Sequence, residues 1–334
     1  MMTSRERVLR AIEGRGPDKV PMWVTIDRDP YNKPIAEQIM GDYPGDIILV
    51  GCYDPDFKPV GPGYTWLGYK MESFGETMGE VKNPPLENWD NFSWWKAHLP
   101  DFSKPSCYAY VRQVRQEHPD KFLVGALCQM MEELINLRGY ANYMMDFYDE
   151  EEHLEELIDA MYELAIQKVD GYAAAGFDAV IAWEDWGLQD SPMISYEMWD
   201  KFFHKKMRAF VDHIHSKGMK YVLHSCGHIV YLLDAFADMG IDVLQLDQQQ
   251  NMGLDTLAQW KGKFCFCCPT DIQKVVSMSE ADIQAYIREM QQKLGHPNGG
   301  FIFKPYPQPV AIHMTVEKLR VELDAANQLF YPNH

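Results

Sequence analysis

His224 and Cys226 stand two residues apart in "LHSCGH", after an apolar run and before a glycine. On a β-strand, residues two apart face the same side, with backbones roughly 6.5–7 Å apart. Zinc binds imidazole nitrogen at about 2.0 Å and thiolate at about 2.3 Å, so two side chains leaning together can close on one ion. The same pair also fits a packed strand holding a buried thiol and a hydrogen-bonded histidine. Further thiols lie in "KFCFCC", which carries Cys265, Cys267 and Cys268. Cys268 is the expected third ligand and Cys267 the alternative. These cysteines would equally suit a tight apolar layer.

Other polar groups also follow apolar runs. "AWEDW" gives Glu184, Asp185 and Trp186; "LQLDQQ" gives Asp247; "FIFKPY" gives Lys304 and Tyr306; "VTIDRD" gives Arg28. Glu184 and Asp247 are the expected catalytic groups, orienting substrate or exchanging a proton. Arg28, Trp66, Asp185, Trp186, Lys304 and Tyr306 are the expected substrate contacts. Each aromatic ring among them could equally be core or rim packing.

Such groups need elements that gather their ends. Eight short apolar runs read as strands: 21–26, 46–51, 121–128, 178–185, 220–226, 242–247, 263–268 and 300–305. Helical patterns separate most of them, as at 149–176, 195–218 and 279–295. The first of these has acids in its first turn and glycine at its end, as caps require. Eight alternating strands predict a (β/α)8 TIM barrel, whose active sites form at the C-terminal strand ends. An N-terminal helix is expected from Thr3 or Ser4 as N-cap, with Val8, Leu9 and Ile12 on one face. Residues 52–120, rich in Trp, Gly and Pro, read as a β-hairpin insertion after strand two, lying over the barrel mouth. The whole of 1–334 is expected to be one domain.

The net charge is −18, from 31 basic and 49 acidic residues. Such a surface repels phosphate backbones and anionic lipids, so neither nucleic acid nor a membrane is expected as partner. No apolar run approaches the ~20 residues that span a bilayer. The N-terminus lacks a secretory apolar core. Seven cysteines at irregular spacing suit free thiols in a reducing compartment. A cytoplasmic protein is expected.

These motifs together resemble the uroporphyrinogen decarboxylase superfamily, in particular its corrinoid-linked methyltransferase branch (methylcobamide:coenzyme M methyltransferase-like). The likeness runs through "TSRERVLRAIEGRGPDKVPMW", "WLGYKMESFGETMGEVKNPPLENWDNF", "AGFDAVIAWEDWGLQDSPMISYEMWDKFF", "KGMKYVLHSCGHIVYLLDAFADMGIDVLQLDQ" and "GGFIFKP". The resemblance implies a (β/α)8 barrel and makes His224 and Cys226 zinc ligands. It also implies methyl transfer between a small methylated substrate or thiol and a corrinoid (cobalamin) held by a partner protein. A methoxylated aromatic would suit walls built of Trp66, Trp186 and Tyr306. The chain has no D-x-H-x-x-G corrinoid signature of its own.

Two departures stand out. The arginine-rich motif that binds tetrapyrrole carboxylates is replaced by "IDRDPY", where only Arg28 is basic. The family's cysteine after the last strand is missing from "FIFKPYPQPVAIH", so Cys267, Cys268, Glu184 or His313 would have to replace it. Two other readings remain: a metal-free decarboxylase using Arg28 and Lys304, and a non-catalytic barrel binding a corrinoid or methylated ligand.

Overall fold

Seven of the eight apolar runs pair into one parallel sheet. The computed structural model describes residues 2–26, 31–72, 79–128 and 130–332. In chain order the strands are β1 (Ile47–Val50), β2 (Met71–Glu72), β3 (Glu80–Val81), β4 (Phe122–Ala126), β5 (Ala179–Trp183), β6 (Lys220–His224), β7 (Val243–Gln245), β8 (Cys265–Cys268) and β9 (Phe301–Phe303). The sheet order is β1-β4-β5-β6-β7-β8-β9, so each strand lies beside the next one in sequence once β2 and β3 are set aside.

The expected first strand, 21–26, is reduced to a parallel bridge between Met22 and Phe303. The segment nevertheless runs between β9 and β1. Trp23 N–H donates to the Phe303 carbonyl at 2.8 Å, and Asp46 N–H donates to the Met22 carbonyl at 2.8 Å. Pro21 opens the segment and has no N–H to extend a ladder.

Side chains alternate along every strand of the sheet. Val124, Ile181, Val222, Val243, Cys265, Cys267 and Ile302 pack into one core with Trp23 and Val8. Leu123, Val180, Leu223, Leu244, Phe266, Cys268 and Phe303 pack into a second core against the helices. Both faces of the sheet are therefore apolar and covered, as a parallel sheet requires. Carried past the strand ends, this alternation decides which polar side chains reach the inside.

The helices follow their sequence signals. Ser4–Ile12 is capped by Thr3, whose hydroxyl accepts from Glu6 N–H at 3.1 Å. Its Val8 belongs to the inner core. Glu280–Leu294 begins with a Ser279–Asp282 capping box. No helix among the described residues is long and apolar enough to cross a membrane.

Residues between β1 and β4 hold the antiparallel pair β2–β3, with Met71 opposite Val81, and the helices Phe92–Ala97 and Ala109–Glu117. The chain joining β2 to β3 lies outside the described residues. Tyr69 ties this region down through a 2.6 Å hydrogen bond from its hydroxyl to Glu133. The buried Lys168 ammonium lies 4.7 Å from the Trp66 ring and 4.5 Å from the Phe102 ring.

Candidate metal centre and active-site cavity

The ends of β5 and β6 are laced together. Glu184 N–H donates to the His224 carbonyl at 2.8 Å. Trp186 N–H donates to Ser225 Oγ at 3.2 Å, and Cys226 N–H to Asp185 Oδ1 at 2.9 Å. The loops then touch backbone to backbone. A Cβ at Gly227, whose φ is +75°, would stand 2.2 Å from the Gly187 carbonyl oxygen. Glycine is needed at 227 for both its φ and its lack of a side chain.

This lacing gathers Asp185, His224 and Cys226, whose ligand atoms all lie within 4.8 Å of one another. His224 Nε2 is 3.5 Å from Cys226 Sγ and 3.4 Å from Asp185 Oδ1. A tetrahedral zinc ion with ordinary bond lengths would separate N from S by about 3.5 Å and N from O by about 3.3 Å. The three groups fit such an ion, with room for a fourth ligand.

The other ring nitrogen is engaged. His224 Nδ1 hydrogen-bonds Gln245 Oε1, and Gln245 Nε2 donates to Asp247 Oδ1 at 2.6 Å. The amide oxygen can only accept, so Nδ1 carries the proton and Nε2 presents its lone pair to the cluster. Electrostatics agree with a site that attracts positive charge. Burial pulls the His224 pKa down, but Asp185 and Cys226 carry it well above the ordinary histidine value. Asp185 is held below the ordinary carboxylate range; burial opposes this, and the His224 contact outweighs it. The Cys226 thiol is pushed up by burial, against the pull of His224. A metal ion would displace the proton these groups share.

The cluster opens into a cavity of about 650 Å³ lined by Trp23, Trp66, Trp183 and Tyr306, with Glu132, Glu133, Asp247 and Lys304 as further polar groups. Burial pushes the Glu133 carboxyl up to about 7. Glu132 is also raised, by burial first and by Asp185 second.

Residues 67–329 match the uroporphyrinogen decarboxylase (URO-D) family. The chain belongs to that family. No protein of curated function matches it in sequence. Among solved structures, a methyltransferase from Methanosarcina mazei superimposes with a TM-score of 0.71 at 14% identity, covering 98% of this chain and 99% of that one. That likeness is one of fold. A xylose isomerase domain protein from Planctomyces limnophilus aligns with a TM-score of 0.48 at 9% identity, over 94% of this chain and 99% of its own.

This URO-D family member brings together seven of the expected residues: His224, Cys226, Asp185, Asp247, Lys304, Trp66 and Tyr306 all line the cavity. Asp185, expected at the substrate, stands with His224 and Cys226 in the candidate metal cluster instead. Three expectations are corrected by strand alternation. Cys268 faces the helices, and Asp185 takes the third place in the cluster. Glu184 also points outward, is buried, and takes a 3.2 Å hydrogen bond from Tyr221 Oη. Trp186 is fully buried against Trp199 and Phe203 rather than at the cavity.

Cys267 does face inward, but it lies level with Gln245 in the sheet register, outside the cluster. Burial pushes its thiol up to about 12. His313 is exposed at the end of the Pro309–Ile312 turn. Arg28 lies outside the described residues.

Sequence reasoning missed Trp183, Gln245, Glu132 and Glu133. The signal for Gln245 was its place two residues before Asp247, level with His224 on the neighbouring strand. Glu132 and Glu133 stand in the first turn of the helix Met130–Arg138, past the end of β4 at Ala126 rather than at a strand end.

Proposed function

We propose that this chain is a methyltransferase that moves a methyl group between a small methylated substrate or thiol and a corrinoid carried by a partner protein. The observation that carries this is the Asp185–His224–Cys226 cluster, set in an aromatic-walled cavity in a URO-D family chain. The Methanosarcina neighbour, named as a methyltransferase, supports it. In this reading, segment 21–26 is the first strand of a closed (β/α)8 barrel. The described residues of 52–120 overlie its mouth, and the chain is one domain. Seven free thiols suit a cytoplasmic setting.

Asp185, His224 and Cys226 would hold zinc, the ion their donor set fits. When bound, zinc supplies Lewis acidity, which lowers the pKa of a coordinated thiol or stabilises charge on the heteroatom that loses its methyl group. The protein's residues do the rest. Gln245 and Asp247 fix the His224 tautomer, so Asp247 is a positioning residue here. Trp66, Trp183 and Tyr306 flank the substrate and exclude water. Glu133, near neutrality, holds a proton on the cavity side while Tyr69 donates to its Oε2.

Metal content and methyl transfer to reduced cobalamin test the proposal. About one zinc per chain is expected, lost in His224→Ala and Cys226→Ala while both stay folded, with transfer lost alongside. A protein that takes up no zinc when soaked sinks the metal centre. A zinc-loaded protein that transfers no methyl group from a panel of methyl ethers, thioethers and amines sinks the activity.

A further inference from the structure

Lys304 follows β9, and the sheet's alternation turns its side chain into the cavity. The residue is only 5% exposed. A buried ammonium has three N–H donors to satisfy, and leaving them unmet is costly. The Lys304 backbone N–H donates to the Cys268 carbonyl at 3.2 Å, but among the described residues its ammonium makes no hydrogen bond. Its nearest carboxylate oxygen is Asp247 Oδ1, at 3.8 Å. That oxygen is already held at 2.6 Å by Gln245 Nε2. The other neighbour is the Trp23 ring, its centroid 5.9 Å away. The ammonium at this end of the cavity thus has a carboxylate nearby at 3.8 Å but no hydrogen-bond acceptor of its own among the described residues.

We propose that Lys304 anchors a single carboxylate of the substrate, so that the cavity takes a small monoanionic acid bearing one methylated heteroatom. An anionic oxygen fills the ammonium's open donors with a charge-assisted bond. The limit to one carboxylate comes from the walls. Lys304 is the only lysine or arginine lining the cavity among the described residues, whereas Glu132, Glu133, Asp185 and Asp247 all line it. Among the described residues, a second carboxylate on the ligand would face those acids without a cation. The ligand is short because Asp247 separates the two stations. One of its oxygens lies 3.8 Å from Lys304, and the other lies 3.9 Å from His224 Nδ1. A carboxylate on Lys304 therefore leaves the far end of a small molecule beside the metal cluster. The methylated heteroatom at that end rests on the methyl-transfer reading; the anchor does not.

The test is binding, read by quenching of the cavity tryptophans in the zinc-loaded protein. The probes are 4-methoxybenzoate, 4-methoxybenzamide and 4-methoxyphthalate, with 3-(methylthio)propionate as a non-aromatic monoanion. The monoanions should bind saturably. The neutral amide and the dianion should bind at least about tenfold more weakly, the loss expected for one charge-assisted bond. Lys304→Gln should bring 4-methoxybenzoate down to the level of the amide, and Lys304→Arg should keep the preference for the acid. Equal affinity for acid and amide, unchanged 4-methoxybenzoate affinity in Lys304→Gln, or no saturable binding of either monoanion overturns the anchor. The wild-type probe series decides the matter if Lys304→Gln fails to fold. Lys304-dependent binding with no methyl transfer to reduced cobalamin keeps the anchor and removes the methyl-transfer reading. Transfer from the amide as efficient as from the acid does the reverse.

Discussion

His224 and Gln245 share a hydrogen bond that fixes which nitrogen of the imidazole is free. Because the Gln245 amide also donates to Asp247 at 2.6 Å, its oxygen is directed at Nδ1 and cannot flip without losing both contacts. The lone pair on Nε2 is thereby aimed at the space between Cys226 and Asp185. This is how outer partners commonly set a metal-binding histidine.

Gln245→Ala should therefore weaken zinc affinity by about 10- to 100-fold while all three ligand side chains remain. Competition against a chelator reads this directly. Wild-type affinity in a folded Gln245→Ala protein would show that the ring is oriented by something else.

The cluster also depends on two loops meeting backbone to backbone. Gly227→Ala must strain a φ of +75° and push a methyl group into the Gly187 carbonyl. The backbone strain alone costs about 1–3 kcal/mol. Thermal unfolding should shift down, and zinc stoichiometry should fall with it, because the displaced loops carry Asp185 and Cys226. Lower stability with full zinc binding would separate the loop contact from the metal centre.

Much of this was legible in the sequence, and the failures share one cause. Apolar runs announced all seven strands of the sheet, because buried parallel strands read as continuous apolar stretches. The same continuity hides where a strand ends and which residues point inward. Within "WED" and "CFCC", a one-residue shift exchanges Asp185 for Glu184, or Cys267 for Cys268. The pattern became decidable only when neighbouring strands supplied the register, with Trp183 beside His224 and His224 beside Gln245. Segment 21–26 looked like a full strand, yet it forms a single bridge. Trp186 looked like a pocket wall because it sits beside Asp185. The alternation puts it among helix-side aromatics instead.

Glu133 predicts a pH dependence. Its carboxyl ordinarily titrates at 4.5, and burial in the folded protein moves it up to about 7. The folded state then binds more protons than the unfolded chain between those values. Stability should fall as pH rises through that window, be unpenalised below it, and level off above it. Glu133→Gln removes this contribution, so its melting temperature should gain on the wild type at pH 8 and show no such gain at pH 4. Glu184, pushed up to about 7 by burial, titrates in the same window, so the flattening should be partial. Parallel melting curves for wild type and Glu133→Gln across the window would leave burial of Glu133 without consequence.

Cys268 separates a fold argument from a family argument. The sequence makes it an attractive third ligand, but it packs fully buried in the helix-side core. Burial also holds its thiol well above the ordinary cysteine value, which keeps it protonated and a poor ligand. Cys268→Ala should thus bind zinc as the wild type does and lose stability on the order of 1 kcal/mol for the small cavity left behind. Asp185→Ala should lose most of its zinc affinity, and it should also lower metal-free stability, because Cys226 N–H and His224 lose their partner. Zinc titrations on the two variants, at matched folded fractions from melting curves, form the comparison. If Cys268→Ala loses its zinc and Asp185→Ala keeps it, the third ligand comes from β8, and strand alternation has misplaced it.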